Sequence, residues 1–271
     1  MAISHNSIKG MPRKDWIEKT ARFGYAAKGV VYCLIGALTA MAAFGLGGQK
    51  ASKTDVFKTI IEQPFGKVLL AIVGAGVLAY SAWRFIQAIR DTEQKGSDAK
   101  GIAVRLGFVI SGLIYLAMAY TAFAMVVPEI GGGGSGGGQQ SMVAKLLNEP
   151  FGQLAVGVIA LLITGKGVYQ LYKAFSGSFM KNIHTSGEFR EMFNRAGRIG
   201  YTARGIILGI IGYFFIRAAL QSDAGEVHGT SEAFTFLENS MGAVLMGIVA
   251  LGLVAYGVFM FVKARYRTVQ V

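Results

Sequence analysis

The chain is short of charge, cysteine, histidine and proline, and each shortage closes off a class of function. Only 15% of its 271 residues are charged against 53% hydrophobic, with a mean hydropathy of +0.47. That balance excludes an ordinary soluble domain and calls for lipid. The single cysteine, Cys33, lies in an apolar run, so neither an intramolecular disulfide nor a cysteine metal cluster is available, and a buried, inert thiol is expected. His5, His184 and His228 all fall outside the apolar spans, which counts against a bis-histidine haem and a histidine proton relay. No Asp, Glu or His lies within a span, which handicaps proton-coupled transport. The sequence shows no metal-ligand cluster, nucleophile elbow or paired intramembrane carboxylates, and Glu62 and Glu149 read as interfacial caps. No catalytic residue, metal or cofactor is therefore expected, and the chain is not expected to be an enzyme. Four prolines against 38 glycines fit a bundle of helices whose backbones approach closely.

What is present is apolar sequence in membrane-length pieces. Six stretches, 27–47, 66–86, 106–127, 152–172, 204–220 and 243–262, each suffice to cross about 30 Å of hydrocarbon at roughly 1.5 Å per residue. The first twenty residues lack the apolar core of a secretory signal, so the first span is expected to act as its own insertion signal. Lys and Arg are distributed unevenly. Seventeen lie in the N-terminal tail, the second and fourth loops and the C-terminal tail. Six (Lys50, Lys53, Lys58, Lys67, Lys145 and Arg217) lie at the other face. The excess places both termini in the cytoplasm and the protein in the cell's inner membrane. The net charge of +12 is thus mostly topology, with anionic lipid headgroups as plausible partners and no nucleic acid expected.

The organising feature is a repeat. ARFGYAAKGVVY (21–32), VRLGFVISGLIY (104–115) and GRIGYTARGIIL (197–208) share Arg-x-Gly-Tyr/Phe-x3-Gly at the entry to each odd-numbered span. A second block precedes the even spans: Gln63-Pro64-Phe65-Gly66, Glu149-Pro150-Phe151-Gly152, and a decayed Asn239-Ser240-Met241-Gly242. Tyr80, Lys166 and Tyr256 then occupy equivalent places, as do Trp83, Tyr169 and Phe259. The expected fold is an all-α integral membrane protein: six transmembrane helices as three parallel two-helix repeats, arranged pseudo-threefold about the membrane normal. The divisions are a tail (1–18) and repeats at 19–91, 102–177 and 195–267. Parallel repeats do not support rocking between inverted halves. Between the helices of each repeat, Thr54–Gln63, Ser141–Glu149 and Ser231–Asn239 read as short interfacial helices opened by a hydroxyl N-cap. Gly131–Gly138, interrupted by Ser135, reads as a flexible linker, since it lacks the Lys-Ser/Thr ending of a phosphate loop.

These two blocks, over about residues 19 to 267, resemble the bacterial membrane proteins catalogued as domain of unknown function 1206, whose members carry three two-helix repeats. The resemblance implies the fold and supplies no activity or ligand. The third copy departs at Ser240 and Met241, so any role of Pro-Phe is not strictly threefold.

Two constellations are candidates for a site. Arg22, Gly24, Gly29 and Gly36, with Arg105, Gly107 and Gly112, and Arg198, Gly200, Gly205 and Gly212, lie along the odd helices. The glycines suit close helix packing; the arginines suit either the headgroup level or convergence on an anion or lipid phosphate. Lys28, Arg84, Lys166 and Arg204 lie inside spans with no carboxylate there to pair with. They either snorkel to the surface or line a cationic, cytoplasm-facing vestibule, a reading aided by the stripes Tyr80/Arg84/Gln87, Lys166/Gln170/Lys173 and Tyr256/Met260/Lys263. Two functions follow. The favoured one is a structural, lipid-interacting or partner-binding scaffold, with a homo-oligomer or a membrane partner in view. The other is transport of a small anion or lipid through the vestibule.

Overall fold

A computed structural model describes residues 11–94, 96–127, 129, 138–181, 183 and 188–267. The residues 131–137 of the glycine-rich segment, and His5 and His184, lie outside them. Six long helices, α1 (Met11–Ala43), α3 (Gly66–Arg90), α4 (Ala99–Val126), α6 (Gly152–Ser176), α7 (Glu188–Gln221) and α9 (Ala243–Tyr266), alternate with three short ones, α2 (Lys53–Ile61), α5 (Gly138–Leu147) and α8 (Thr230–Met241). All six long helices are long and apolar enough to cross a membrane, and the described residues contain no strand. Two extend well beyond the apolar stretches: α1 begins at Met11 and α7 at Glu188, because their amphipathic approaches continue the helix without a breaker.

The short helices fall where expected, but their caps do not. Thr54, Ser141 and Ser231 all lie inside the helices. The α2 cap is Ser52, which exchanges bonds with Asp55, and at α8 the Gly229 N–H donates to Glu232 at 2.9 Å. The turns into α3 and α6 explain the Pro-Phe-Gly block. Phe65 and Phe151 sit in the left-handed region, at φ 60° and 64°. A Cβ on the following glycine would meet backbone, 2.3 Å from Ile61 O at Gly66 and 1.8 Å from Leu146 O at Gly152. In the third copy α8 runs on through Met241, and Gly242 itself takes the positive φ of 86°, so the phenylalanine is no longer required.

The long helices are ordered around the bundle as in the chain: α3 lies beside α1, α4 beside α3, α7 beside α6, α9 beside α7, and α9 closes on α1. This is the pseudo-threefold order, with the even helix of each repeat packed on the odd helix of the next. Glycines set those contacts. A Cβ on Gly29 would meet Gly257 O at 3.0 Å, one on Gly112 the Phe85 ring at 2.9 Å, one on Gly205 the Leu171 side chain at 2.7 Å. Gly36 and Gly212 lie equally close to α9 and α6. Ser81, equivalent to Gly167 and Gly257, instead donates to Gly112 O at 2.7 Å.

The contact inside each repeat is unequal. In the first, Gly24 lies against the Tyr80 backbone (2.6 Å to Cα) and Gly76 against Ala27; in the third, Gly200 lies against Tyr256 (2.5 Å) and Gly252 against Ala203. In the second, the residues equivalent to Ala27 and Gly76 are Ile110 and Leu162, both exposed, and α4 and α6 are not packed together. Gly107, expected to pack, is exposed with nothing within 4 Å of a built Cβ. Two bulky side chains thus stand where the other repeats have a close alanine–glycine contact.

Candidate functional site

The bundle interior is built of tyrosines and cations, and the repeats place them. Six residues after the motif arginine Arg22 stands Lys28, and its equivalents after Arg105 and Arg198 are Ser111 and Arg204. On the even helices Tyr80 and Tyr256 enter the centre because Gly24 and Gly200 let their backbones come close; Lys166 takes the same place in the second repeat. Lys28 is 3% exposed. Its Nζ donates to the Tyr80 hydroxyl at 3.0 Å and lies 4.6 to 5.8 Å from the ring centroids of Tyr80, Tyr115, Tyr256 and Tyr32.

Each ring is shared between cations. Arg84 donates to the Tyr80 hydroxyl and Arg204 to that of Tyr256, while the Arg204 guanidinium also lies 5.1 Å from the Tyr32 centroid. Lys166 donates to Ser111 Oγ at 3.2 Å, joining α6 to α4. Lys53, at the start of α2, reaches in from the opposite end to 5.6 Å from the Tyr115 centroid. Edge-on pairs such as Tyr80–Tyr115 (4.6 Å) and Tyr32–Tyr256 (4.9 Å) make the rings a continuous wall.

Towards the end that carries the termini the cluster continues through Lys263, whose Nζ donates to the Tyr201 hydroxyl at 2.6 Å, and Arg267, which donates to the Tyr25 hydroxyl and to Glu93 at 2.8 Å. Gln87 bridges Arg84 and Glu93, at 2.9 Å to each. Burial by itself would raise the Glu93 carboxyl, but Arg267, with Lys173 and Arg84 behind it, outweighs that and holds it at about 2. Against Lys28, Arg84, Lys166, Arg204 and Lys263, Glu93 is the carboxylate facing the cluster among the described residues.

The four intramembrane cations named from the sequence therefore converge, and Lys28 does not snorkel. The three motif arginines do not converge. Arg22 pairs with Glu18 at 2.5 Å, Arg198 is exposed, and Arg105 donates to the carbonyls of Ala88 (2.7 Å) and Ile89 (3.3 Å), capping the end of α3. Lys263 and Arg267 both belong to the cluster, although Arg267 counted in the sequence only as tail charge. The stripe Tyr256/Met260/Lys263 already pointed to the first of these. Cys33 is half-buried with its Sγ directed at Val254 O, 3.7 Å away, a packing position between α1 and α9.

Comparison with known proteins adds membership without activity. The family described as Domain of Unknown Function (DUF1206) matches three times, over 23–91, 106–177 and 199–267. The chain is 34% identical over 258 residues to "Uncharacterized protein YxxB" of Bacillus subtilis (strain 168), covering 94% of this chain and 92% of that one. No solved structure matches. Three family units in tandem, each a pair of spanning helices joined through a short helix, account for most of the chain, which belongs to the DUF1206 family.

Proposed function

We propose that this multi-pass membrane protein binds an anion, of the phosphate class, in the tyrosine-walled cationic core, with both termini on the cytoplasmic side. The observation that supports this reading is the excess of buried positive charge. A cation held at membrane depth costs about 3 kcal/mol on insertion scales, and a desolvated cation–tyrosine contact returns roughly 2 kcal/mol or more. Lys28 and Arg204 share two rings and Lys28 and Arg84 share a third, so the rings are divided among mutually repelling charges. A scaffold needs the glycine seams but not this interior, and polar residues that only pack would be replaced at a gain in stability. The hydroxyl and guanidinium donors around Tyr80, Tyr256, Arg84 and Arg204 suit a tetrahedral oxyanion.

The test is thermal unfolding of the purified protein in neutral detergent with chloride, inorganic phosphate or pyrophosphate. Stabilisation is expected to rise in that order. Lys28→Met and Arg204→Met are expected to raise the melting temperature without anion and to abolish the increment with it. Wild-type melting that is indifferent to phosphate and pyrophosphate would refute the reading.

A second reading, passage of the anion across the membrane, is favoured by one observation: Lys53 meets Tyr115 from the end opposite Lys263 and Arg267, so cations lie along the whole axis.

A further inference from the structure

We infer that the ligand of the core is an anionic phospholipid, which enters sideways from the bilayer through the seam between α4 and α6. The inference rests on the proposed anion site and adds its source and route. Three observations carry it. The seam belongs to one repeat: where Gly24 and Gly200 meet the backbones of Tyr80 and Tyr256, Gly107 meets open space, and Ile110 and Leu162 stand where the other repeats have the Ala27–Gly76 and Ala203–Gly252 contacts. The residue that replaces the tyrosine at this opening is a cation, Lys166, bonded across it to Ser111 at 3.2 Å. One turn further along α6, Gln170 is 4% exposed, and neither its amide nitrogen nor its amide oxygen has a partner among the described residues. A buried primary amide with no protein partner carries a desolvation cost that a polar ligand in the seam would offset.

The geometry separates the two halves of a lipid. Lys166 lies 14 residues past the turn at Gly152, roughly 21 Å along α6, which is headgroup-side depth in a core of about 30 Å. The seam on the other side of it is apolar, edged by Ile114 and Ala117 on α4, in helical register with Gly107, and by Val158 and Leu162 on α6, all exposed. A phosphate held by Lys166 and Arg204 thus leaves acyl chains in a slot open to the membrane. A free phosphate uses the first half of this arrangement and leaves the second unexplained. The positive core also selects among lipids, since a zwitterionic headgroup brings its own cation towards Lys28 and Arg204.

The test uses Gly107→Trp, which fills the seam where no neighbour is displaced, with Gly107→Ala as the folding control. Delipidated protein is given phosphatidylglycerol or phosphatidylcholine in micelles, and retained lipid is counted by mass spectrometry of the intact complex. Inorganic phosphate stabilisation is measured in parallel. Wild type and Gly107→Ala are expected to retain phosphatidylglycerol in preference to phosphatidylcholine by about tenfold or more, and Gly107→Trp to lose that retention while still being stabilised by phosphate. Equal retention by Gly107→Trp, equal retention of the two lipids, or a wild-type dimer that Gly107→Trp dissociates would overturn the inference and leave the anion site standing. Loss of phosphate stabilisation in wild type itself would remove the site beneath it.

Discussion

Adding one methyl group at three equivalent glycines distinguishes a closed repeat from an open one. A Cβ on Gly24 lies 2.6 Å from both the N and Cα of Tyr80, and one on Gly200 lies 2.5 Å from Tyr256 Cα. Ordinary contact begins near 3.4 Å, so the helices must part by about 0.8 Å, and the obstacle is main chain, which cannot swing aside. Overpacking of this kind costs about 1–3 kcal/mol, and the upper end applies here. Alanine returns up to about 1 kcal/mol over glycine in a helix interior, leaving a net loss of roughly 2 kcal/mol for Gly24→Ala or Gly200→Ala. Gly107→Ala meets nothing and keeps only the gain. Reversible unfolding of the three variants in mixed micelles, titrated with a denaturing detergent, measures the order directly. If Gly107→Ala costs as much as the other two, α4 and α6 are packed like the other pairs and the reasoning about the seam is wrong.

Further outcomes follow from the rim and the axis. Because Glu93 is held at about 2 in the folded protein, against an ordinary value near 4.5, its ion pair with Arg267 stabilises the fold fully above pH 4.5 and is lost as pH falls towards 2. Glu93→Gln should therefore melt lower than wild type at pH 7, by roughly 2–3 kcal/mol of stability, with the gap closing between pH 4.5 and pH 2. Arg105→Ala should cost about 1 kcal/mol and speed amide hydrogen exchange at the last turn of α3, where its two carbonyl bonds lie, while leaving α1 unchanged. On the transport reading, Lys53→Ala should slow phosphate flux into proteoliposomes several-fold and leave phosphate-dependent stabilisation as it is; unchanged flux would discard that reading.

The spans, the order of the helices and the short helices were legible because periodic apolar length and tandem spacing are local signals. Lys28, Arg84, Lys166 and Arg204 were legible as anomalies, since a charge in an apolar run stands out. Their convergence was less so. It depends on how far each helix is rotated, which the glycines at 24 and 200 decide by admitting a tyrosine backbone. The seam was readable in principle from Ile110 and Leu162 against Ala27, Ala203, Gly76 and Gly252, but only once aligned repeats were compared position by position for size. The motif arginines admitted two readings, headgroup level or convergence, and only the second is set aside, with Arg22 paired to Glu18, Arg105 on the α3 carbonyls and Arg198 exposed. Arg267 was hidden among topology charges, because a tail residue enters a core only when its helix returns to the centre, and it does so by meeting Glu93 and Tyr25.

The closure of α9 onto α1 makes the protein a pair of three-helix halves, α1 with α3 and α4, and α6 with α7 and α9. The two halves meet along α1 and α9, with Lys50 reaching Glu238 at one end and Glu93 reaching Arg267 at the other. The halves follow one another in the chain between α4 and α5, and α4 is not packed on α6. Covalent continuity there adds little to assembly, so fragments 1–130 and 131–271 made as separate chains should reassociate in the membrane and copurify. The same arrangement makes α1 and α9 the spine of a book whose pages, α4 and α6, are clasped by the Lys166–Ser111 bond and not by packing.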